Sequence, residues 1–535
     1  MSLIYKLEDL KKISSHTLTG HYPAIEALSI LLEDTGLVYE KTTKNTIAIR
    51  KDHHQAQVEP QPKADASKAE NKKSEPLSAD SQVNNTDTAV QSGKPSKKQA
   101  RQGESEPSDD FMLEEVVVTA SKMGETKLQE TPIAISSLSF ENLKNSGTYR
   151  MDQLGHWVPN AEFSSPVGYP QAFIRGIGNT QIGTLMGDAN VAFYVDGVYL
   201  EGGFGVNADF MDIERIEILR GPQGTLYGRA ANGGAVNIIT KPPADELEIT
   251  LSAEYGKYDK RRLEGTISGP IYENKLKARL AFADSNRDAY MKNISGKDPE
   301  QEDFTAFRGK LTFTPNDLID IDLAADYYKS DTNGPGYKMI SDQGVFGAVF
   351  GFVLAPGFYT TQTAIDPKDE REVWGTSAKI HIQLPREMSL TSLTSYRKFE
   401  DEIHYDRDGT DVILVEDEGF SEIEQFSEEL HLQAQWNQWK WIAGAIFYVQ
   451  ETNLDYTQFV NGMLFGLSPD FTLSTTNIDS LETTAYALFS NVRYAVNDRL
   501  GLEAGIRYSV EEKKRDAIVI NEPSGVIPDV DESVK

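Results

Sequence analysis

The feature that most constrains this chain is a strict two-residue alternation carried on long segments, in a sequence without any apolar run of about 18 residues. Leu500, Leu502, Ala504, Ile506, Tyr508 and Val510 alternate with Gly501, Glu503, Gly505, Arg507 and Ser509. Trp439, Trp441, Ala443, Ala445, Phe447 and Val449 alternate with Lys440, Gly444, Tyr448 and Gln450. Successive side chains of a strand point to opposite faces, so each segment predicts a strand with one apolar face and one polar or small face. About eleven such segments follow Asp245, near 246–257, 260–270, 275–286, 303–314, 318–330, 372–385, 388–404, 423–436, 438–453, 481–496 and 499–512. Their connections alternate as well: 272–275, 315–317, 385–387, 437–438 and 497–499 are tight, whereas 287–302, 331–371, 405–422 and 454–480 are long. The first hairpin, at 258–260, is a short exception on the long-loop side. No transmembrane helix is possible, and a membrane-spanning chain without one has to pair its backbone between strands, as a closed barrel. A lipid face, an aqueous face, short turns on one rim and long loops on the other are barrel features. A soluble sandwich would alternate too, but without this turn asymmetry.

Upstream the texture changes to short apolar strands punctuated by glycine. Ile213, Ile216, Ile218 and Leu219 form a strand that runs into a tight turn at Arg220-Gly221-Pro222 and on to Gly228. Gly233-Gly234 and a second strand, Ala235 to Thr240, follow. Earlier, Phe173-Ile174-Arg175-Gly176-Ile177-Gly178 and the segment 191–199, with Asp196-Gly197 at its centre, repeat the strand-and-turn pattern. Gly176-Ile177-Gly178 has no Rossmann or Walker continuation. In this order and spacing the three motifs closely resemble the plug domain of TonB-dependent outer-membrane receptors, with Gly176, Asp196, Gly197, Gly221, Pro222 and Gly228 as its motif positions. The resemblance implies an α+β plug over 123–243, with a strand at 131–136, a helix at 139–144 and a short helix and turn at 151–161. An antiparallel transmembrane β-barrel follows it at 244–535. Family barrels have about 22 strands, so about half of one is expected here.

Ahead of the plug, three segments are distinguishable. Residues 1–51 predict a small α/β unit, with a helix over 23–34 (apolar face Ile25, Leu28, Leu31 and Leu32; Pro23 at its start and Gly36 past its end) and a strand at 46–50. Tyr22, Glu26-Ala27-Leu28, Leu31-Leu32 and Thr35-Gly36-Leu37 resemble the second half of the short signalling domain shared by secretins and some TonB-dependent receptors; its first half is missing. Residues 52–110 hold no Phe, Tyr or Trp and predict a disordered linker. As a flexible coil it would span about 45 Å root-mean-square. His53-His54 has no further ligand spacing and reads as solvated linker. Within 111–122, Glu114, Glu115, Val116, Val117, Val118, Thr119 and Ala120 predict an extended strand with no sheet of its own, suited to joining a partner's sheet edge. It resembles the TonB box, which makes TonB the implied partner.

The formal net charge of −29 disfavours nucleic acid. With no cysteine and eight scattered histidines, no catalytic constellation or metal site emerges, and neither an enzyme nor a cofactor is expected. The resemblance implies that Arg175 and Arg220, each before a turn glycine, lock the plug to glutamates on the inner barrel wall. Glu429, in the lumen-facing register of its strand, is the nominated partner. The aromatic segment 331–371 and the acidic 405–422 are expected as outer loops, the second as solvated surface or a cation site. The implied partners are TonB, outer-membrane lipid and an extracellular ligand. A ferric siderophore is the commonest ligand in the family, with haem, cobalamin, carbohydrate or plant-derived aromatics as alternatives. An inner-membrane anti-sigma regulator is implied if the N-terminal domain signals. The implied location is the outer membrane, with plug and N-terminal segments facing the periplasm. Met1 to Leu10 lacks an apolar signal core, and with the half-barrel this leads to the expectation of a chain cut from a longer precursor at both ends.

Overall fold

The computed structural model describes residues 126–524 except 166–168, 179–188, 202–209, 274, 341–349, 469 and 498–499. It also describes 117–119, 122–124, Leu32 and the strands of an N-terminal unit. The chain divides into two compact units, Met1–Ser105 and Glu106–Lys535. In the first, β1 (Ser2–Tyr5), β2 (Leu37–Thr43) and β3 (Thr46–Lys51) form a sheet in the order β1-β3-β2, with β1 parallel and β2 antiparallel to β3. The strand expected at 46–50 is β3; β1 was not foreseen. Parallel partners need a connection of a dozen or more residues, and β1 and β3 are further apart than that in sequence. Leu32, between them, is helical. The rest of the helix expected over 23–34, and the linker 52–110, lie outside the described residues.

The plug region of the second unit begins with the paired strands β4 (Val117–Val118) and β5 (Thr126–Lys127). β6 (Ile135–Ser139) leads into helix α1 (Phe140–Asn145), which starts where the Ser139 hydroxyl accepts the Asn142 N–H and stops before Gly147 at φ 73°. The strands β7 (Ala161–Ser164), β8 (Gln171–Ile174) and β9 (Ile177–Gly178) make a small sheet. β10 (Val191–Val195), β11 (Val198–Leu200), β12 (Ile213–Arg220) and β13 (Gly234–Thr240) join β6 in a five-stranded mixed sheet, β11-β10-β13-β12-β6. Only β10 and β13 run parallel. Ile174, Ile216, Ile218 and Val236 are fully buried and form the plug's core with Leu154 and Phe193.

The remaining strands are β14 (Glu248–Tyr255), β15 (Arg261–Tyr272), β16 (Leu276–Arg287), β17 (Lys292–Asn293), β18 (Glu302–Asn316), β19 (Ile319–Thr332), β20 (Thr360–Thr361), β21 (Lys368–Leu384), β22 (Met388–Asp406), β23 (Val415–Trp436), β24 (Trp439–Asn461), β25 (Thr472–Asn497) and β26 (Leu500–Ser524). β17 and β20 form a two-residue parallel pair between long-loop segments; the other eleven make one sheet in sequence order, antiparallel throughout. The strand count expected from the alternation is met. The turn-side ends also fall close to expectation, but the loop-side ends do not. β23 begins at Val415 rather than 423, β24 runs to Asn461 rather than 453, and β25 starts at Thr472 rather than 481. The long segments 405–422 and 454–480 therefore shrink to 407–414 and 462–471.

The cause is visible on the outer face. One row of aromatics lies near the tight turns: Trp436 against Trp441 (6.4 Å) and Trp439 against Tyr494 (4.3 Å). A second row lies further along the strands: Trp374–Tyr396 (5.2 Å), Phe426–Phe447 (6.2 Å) and Phe447–Tyr486 (5.2 Å). Trp439 and Phe447 are eight residues apart on β24, roughly 27 Å along the strand and about 20 Å of height at the usual tilt. That is the spacing of aromatic girdles around a lipid band. Just beyond the second row, outward-facing Lys398 sits 2.7–3.2 Å from Glu422, Glu400 and Glu424. Past the band no lipid-facing apolar row is required, so the apolar alternation fades while the hydrogen-bonded ladder continues.

Candidate functional site at the plug–wall interface

The wall meets the plug from β15 to β26, through polar groups carried on inward positions. On the β16 side the guanidinium of Arg279 makes two bonds to Asp212, Nη2–Oδ1 2.5 Å and Nε–Oδ2 2.7 Å, with both residues buried. Arg308 Nη1 donates to the Met211 carbonyl at 2.6 Å. Lys310 Nζ lies 2.9 Å from Asp196, whose carboxylate also accepts the backbone N–H and hydroxyl of Thr240. On the β23 side Lys122 Nζ sits 2.9 Å from both oxygens of Glu429, and Gln433 Nε2 donates to the Lys122 carbonyl at 2.8 Å. His431 Nδ1 is 3.3 Å from the same carboxylate. Arg229 bridges Glu201 (3.4 Å) in the plug and Glu511 (3.6 Å) on β26.

Glu429 thus occupies the lumen position expected of it, but its partner is Lys122 rather than either nominated arginine. Arg220 Nη1 donates to the Pro159 carbonyl at 3.2 Å, within the plug. Arg175 has φ 54° and its guanidinium lies over Gly221, 3.2 Å from where a Cβ would be. Arg175 sits in a turn and Arg220 ends β12, and both side chains lie against the plug's own backbone. Arg175-Gly176 and Asp196-Gly197 are two-residue hairpin turns with both φ positive, which the second residue meets without a side chain. Gly221 and Gly228 also hold positive φ, and exposed Pro222 continues the turn. A Cβ on Gly228 would collide with Arg507 Nη2, so its bareness admits the wall's guanidinium. The attachments through Asp212, Arg279, Arg308 and Lys310 were missed because each joins residues at least 67 apart in sequence. The one available signal was lysine or arginine at inward positions of alternating strands.

Of the acidic-alanine segment, Val117, Val118 and Thr119 are described, and Glu114, Glu115, Val116 and Ala120 lie outside the described residues. Instead of standing without a sheet, Val117 and Val118 pair with Lys127 and Thr126. Val118 is completely buried, and Thr119 donates its N–H to Glu217 Oε1 at 2.9 Å. Its hydroxyl lies 3.3 Å from both Glu217 oxygens. Glu217, itself at 0% exposure, also accepts from Arg215 Nε (2.9 Å) and Asn237 (3.4 Å). A buried carboxylate needs such a set of donors, and the segment supplies part of it. Lys122 follows three residues later at φ 52°, so the strand, its turn and the Lys122–Glu429 pair are one continuous connection from plug core to wall.

Two cavities flank that pair. One, about 470 Å³, reaches Asp196, Lys310, Lys379, His381 and His431 on the tight-turn side. The other, about 260 Å³, is walled by Tyr194, Tyr199, Tyr227 and Tyr448 with Arg229 and Arg507. Burial, then the nearby Glu429, pushes the Tyr194 phenol well up, and burial followed by Glu217 does the same to Tyr227, so both stay protonated. The acidic stretch is not a solvated loop: Asp406, Glu416 and Asp417 are buried, with Arg407 and Gln458 on Asp417. Among the described residues no group of three or more His, Asp or Glu side chains is arranged to hold a metal.

A five-stranded plug fastened inside an antiparallel, girdled sheet defines a plug-in-barrel outer-membrane protein. Residues 127–235 match the family model of the TonB-dependent receptor plug domain, and the chain is siderophore-receptor-like in both sequence and fold. It is 31% identical over 163 residues to the pesticin receptor of Yersinia pestis, covering 30% of this chain and 24% of the relative. It is 24% identical over 270 residues to the ferrioxamine B receptor of Salmonella typhimurium, covering 48% and 36%. The chain therefore spans about a quarter to a third of the curated relatives it matches. Among solved structures, the ferric yersiniabactin uptake receptor of Yersinia pestis superposes with a TM-score of 0.59 at 18% identity, over 73% of this chain and 61% of that one. The ferripyoverdine receptor of Pseudomonas aeruginosa gives 0.59 at 15% identity, over 98% and 64%.

Proposed function

We propose that this chain is the plug-bearing part of a TonB-dependent receptor in the outer membrane, taking up an iron–siderophore complex without catalytic chemistry of its own. The observation that carries the reading is the docked segment 117–119. A short strand is held in the plug by Glu217 and leads directly to the Lys122–Glu429 tie on the wall. A periplasmic partner such as TonB that adds this strand to its own sheet competes with the Glu217 bonds and pulls on the plug through one connection. The siderophore class rests on the ferrioxamine and pyoverdine receptors to which the chain is similar. Val117→Pro removes a backbone donor from the strand. Energised uptake of radiolabelled ferric siderophores should stop while their binding at the cell surface persists; undiminished uptake would sink the proposal.

A second role, signalling through the N-terminal unit, is favoured by one observation. The likeness to the ferripyoverdine receptor extends over 98% of the chain, where that to the yersiniabactin receptor stops at 73%. The small β1-β3-β2 sheet is then a module for an inner-membrane anti-sigma regulator. Deleting residues 1–51 should spare uptake and abolish ligand-induced transcription of neighbouring genes. Persistent induction would remove the signalling role.

A further inference from the structure

Two plug tyrosines reach the wall near its long-loop ends, and they are held differently. Tyr149 lies beneath Lys260 (5.4 Å to the ring centre) and Arg262 (4.9 Å), beside the short hairpin that joins β14 to β15. Tyr169, on the connection between β7 and β8, is clasped under the long loops. Its hydroxyl donates to Asp401 of β22, and Arg371 of β21 lies 4.9 Å from its ring centre. Val373, Phe399 and Ile423 pack around the ring. Arg371 and Asp401 face each other across the β21–β22 ladder. The guanidinium is nevertheless committed to Asp369, Nε–Oδ1 2.7 Å and Nη2–Oδ2 2.9 Å. Asp401, 2% exposed, is a buried carboxylate that needs a donor, and the plug's phenol provides one.

Asp369 carries the connection outward. It also accepts the Tyr405 hydroxyl at 2.7 Å. The Tyr405 ring closes on Gly334, at the entry of the long loop: a Cβ there would lie 2.6 Å from Tyr405 Cε1, at a φ of 65°. Further on, the Tyr337 carbonyl and Lys338 Cα lie 2.7 and 2.9 Å from where a Cβ on Gly409 would be. The N–H groups of Gly409 and Ala364 both end on buried Asp406, at 2.8 and 2.9 Å. One packed and hydrogen-bonded cluster thus joins the plug at Tyr169 to outer segments at 334–338, 364 and 409. Such a cluster deforms as a unit: shifting Tyr405 disturbs the Asp369–Arg371 pair that covers the phenol, and lifting the phenol strips Asp401 of a donor.

We propose that Tyr169 is a latch that couples the outer loops to the plug: the phenol seats while the entry of the long loop is closed on Tyr405, and loosening either one loosens the other. The use of the latch rests on the uptake reading, in which a ligand that reshapes the loop entry acts on the plug here; the coupling is a property of the chain alone. It is tested by amide hydrogen exchange on the full chain in detergent, with neither TonB nor ligand present. Tyr169→Phe keeps the ring and removes a hydrogen bond to a carboxylate. Exchange should rise about tenfold at Gly336, Tyr337 and Gly409 as well as at Gln171 in the plug. Gly334→Ala, which drives Tyr405 aside, should in turn speed exchange at Ser164 and Gln171, because coupling is reciprocal. Asp401→Asn, whose side-chain oxygen still accepts the phenol, should keep most of the protection. Asp401→Leu should match Tyr169→Phe, with the double variant adding little. Tyr149→Leu removes the other clasp and should leave Gly336, Tyr337 and Gly409 unchanged. The latch is overturned if Tyr169→Phe alters exchange in the plug alone, if Gly334→Ala alters it in the outer loops alone, or if Tyr149→Leu opens the loops equally. Each of these results leaves the uptake proposal standing, since that falls only on the Val117→Pro experiment in cells.

Discussion

In the plug, Ile216 and Ile218 of β12 are sealed from solvent, and Glu217 between them is buried only because Arg215, Asn237 and Thr119 hydrogen-bond it. In the wall the same alternation is turned inside out. Leu280 of β16 is 59% exposed on the outer face, while its neighbour Arg279 is buried against the plug. The plug hides its apolar groups from water. The wall offers them to lipid and keeps its charges for the interface between the two. The difference teaches that periodicity specifies two faces but not which face is inside; the medium decides that. The plug is held both ways: ion pairs and hydrogen bonds join it to the wall, and inward Ile442, Phe489 and Phe304 pack against its apolar clusters.

The largest effect should come from breaking that polar interface at its most buried pair. Arg279→Ala strands the Asp212 carboxylate, at a cost of about 3–5 kcal/mol where the site stays dry. The plug should become protease-sensitive and the outer membrane leaky to large antibiotics. Arg220→Ala, which loses one bond to the Pro159 carbonyl, should cost no more than about 1 kcal/mol and leave the plug tight. Equal leakage from the two variants would reverse the assignment of the lock.

A smaller effect is expected from exchanging the rules of the two regions. Ile218→Ala should cost about 2–5 kcal/mol through a cavity in the plug core. Leu280→Ala should cost well under that, because the outer face packs on detergent or lipid, but Leu280→Arg should cost about 2–4 kcal/mol in a bilayer. Denaturant titration in lipid vesicles measures all three. If Leu280→Arg were harmless, the outer band would not be facing lipid.

How far the sequence could be read follows the same division. The eleven strands were legible because Trp439 to Val449 and Leu500 to Val510 lie within or near the lipid band, where an apolar face is obligatory. The extensions of β23 to β25 were not, since Glu416, Asp417 and Glu418 lie beyond the lipid band, where no apolar face is required, and the pairing of buried Asp417 with Arg407 supports the strand there. The plug motifs were legible through Asp196-Gly197 and Arg175-Gly176, where backbone conformation restricts the residue type. Glu429 was placed but not its partner, because an arginine beside a turn glycine and an inward glutamate do not reveal what they bind. Lys122 had no mark in the sequence, and Asp212–Arg279 joins elements that only the folded sheet brings together.

The smallest effect probes the point where the regions are mechanically joined. Thr119 binds Glu217 twice, through its backbone N–H and its hydroxyl. Thr119→Val keeps the shape and the backbone bond and removes the hydroxyl. Glu217 retains Arg215, Asn237 and the N–H of residue 119, so the buried carboxylate is not orphaned and the plug core should not loosen. The strand alone should be weakened, by about 1 kcal/mol, or roughly a fivefold rise in the population of its undocked form. Limited proteolysis should then cut near 117–124 several times faster, with the rest of the plug as resistant as before. Because the Lys122–Glu429 tie lies beyond the change, cleavage near residue 122 should accelerate only if docking of the strand and the tie are cooperative. Faster cutting throughout the plug would mean that Glu217 organises its core and not simply its entry strand, and the separation drawn between a rigid plug and a releasable segment would fail.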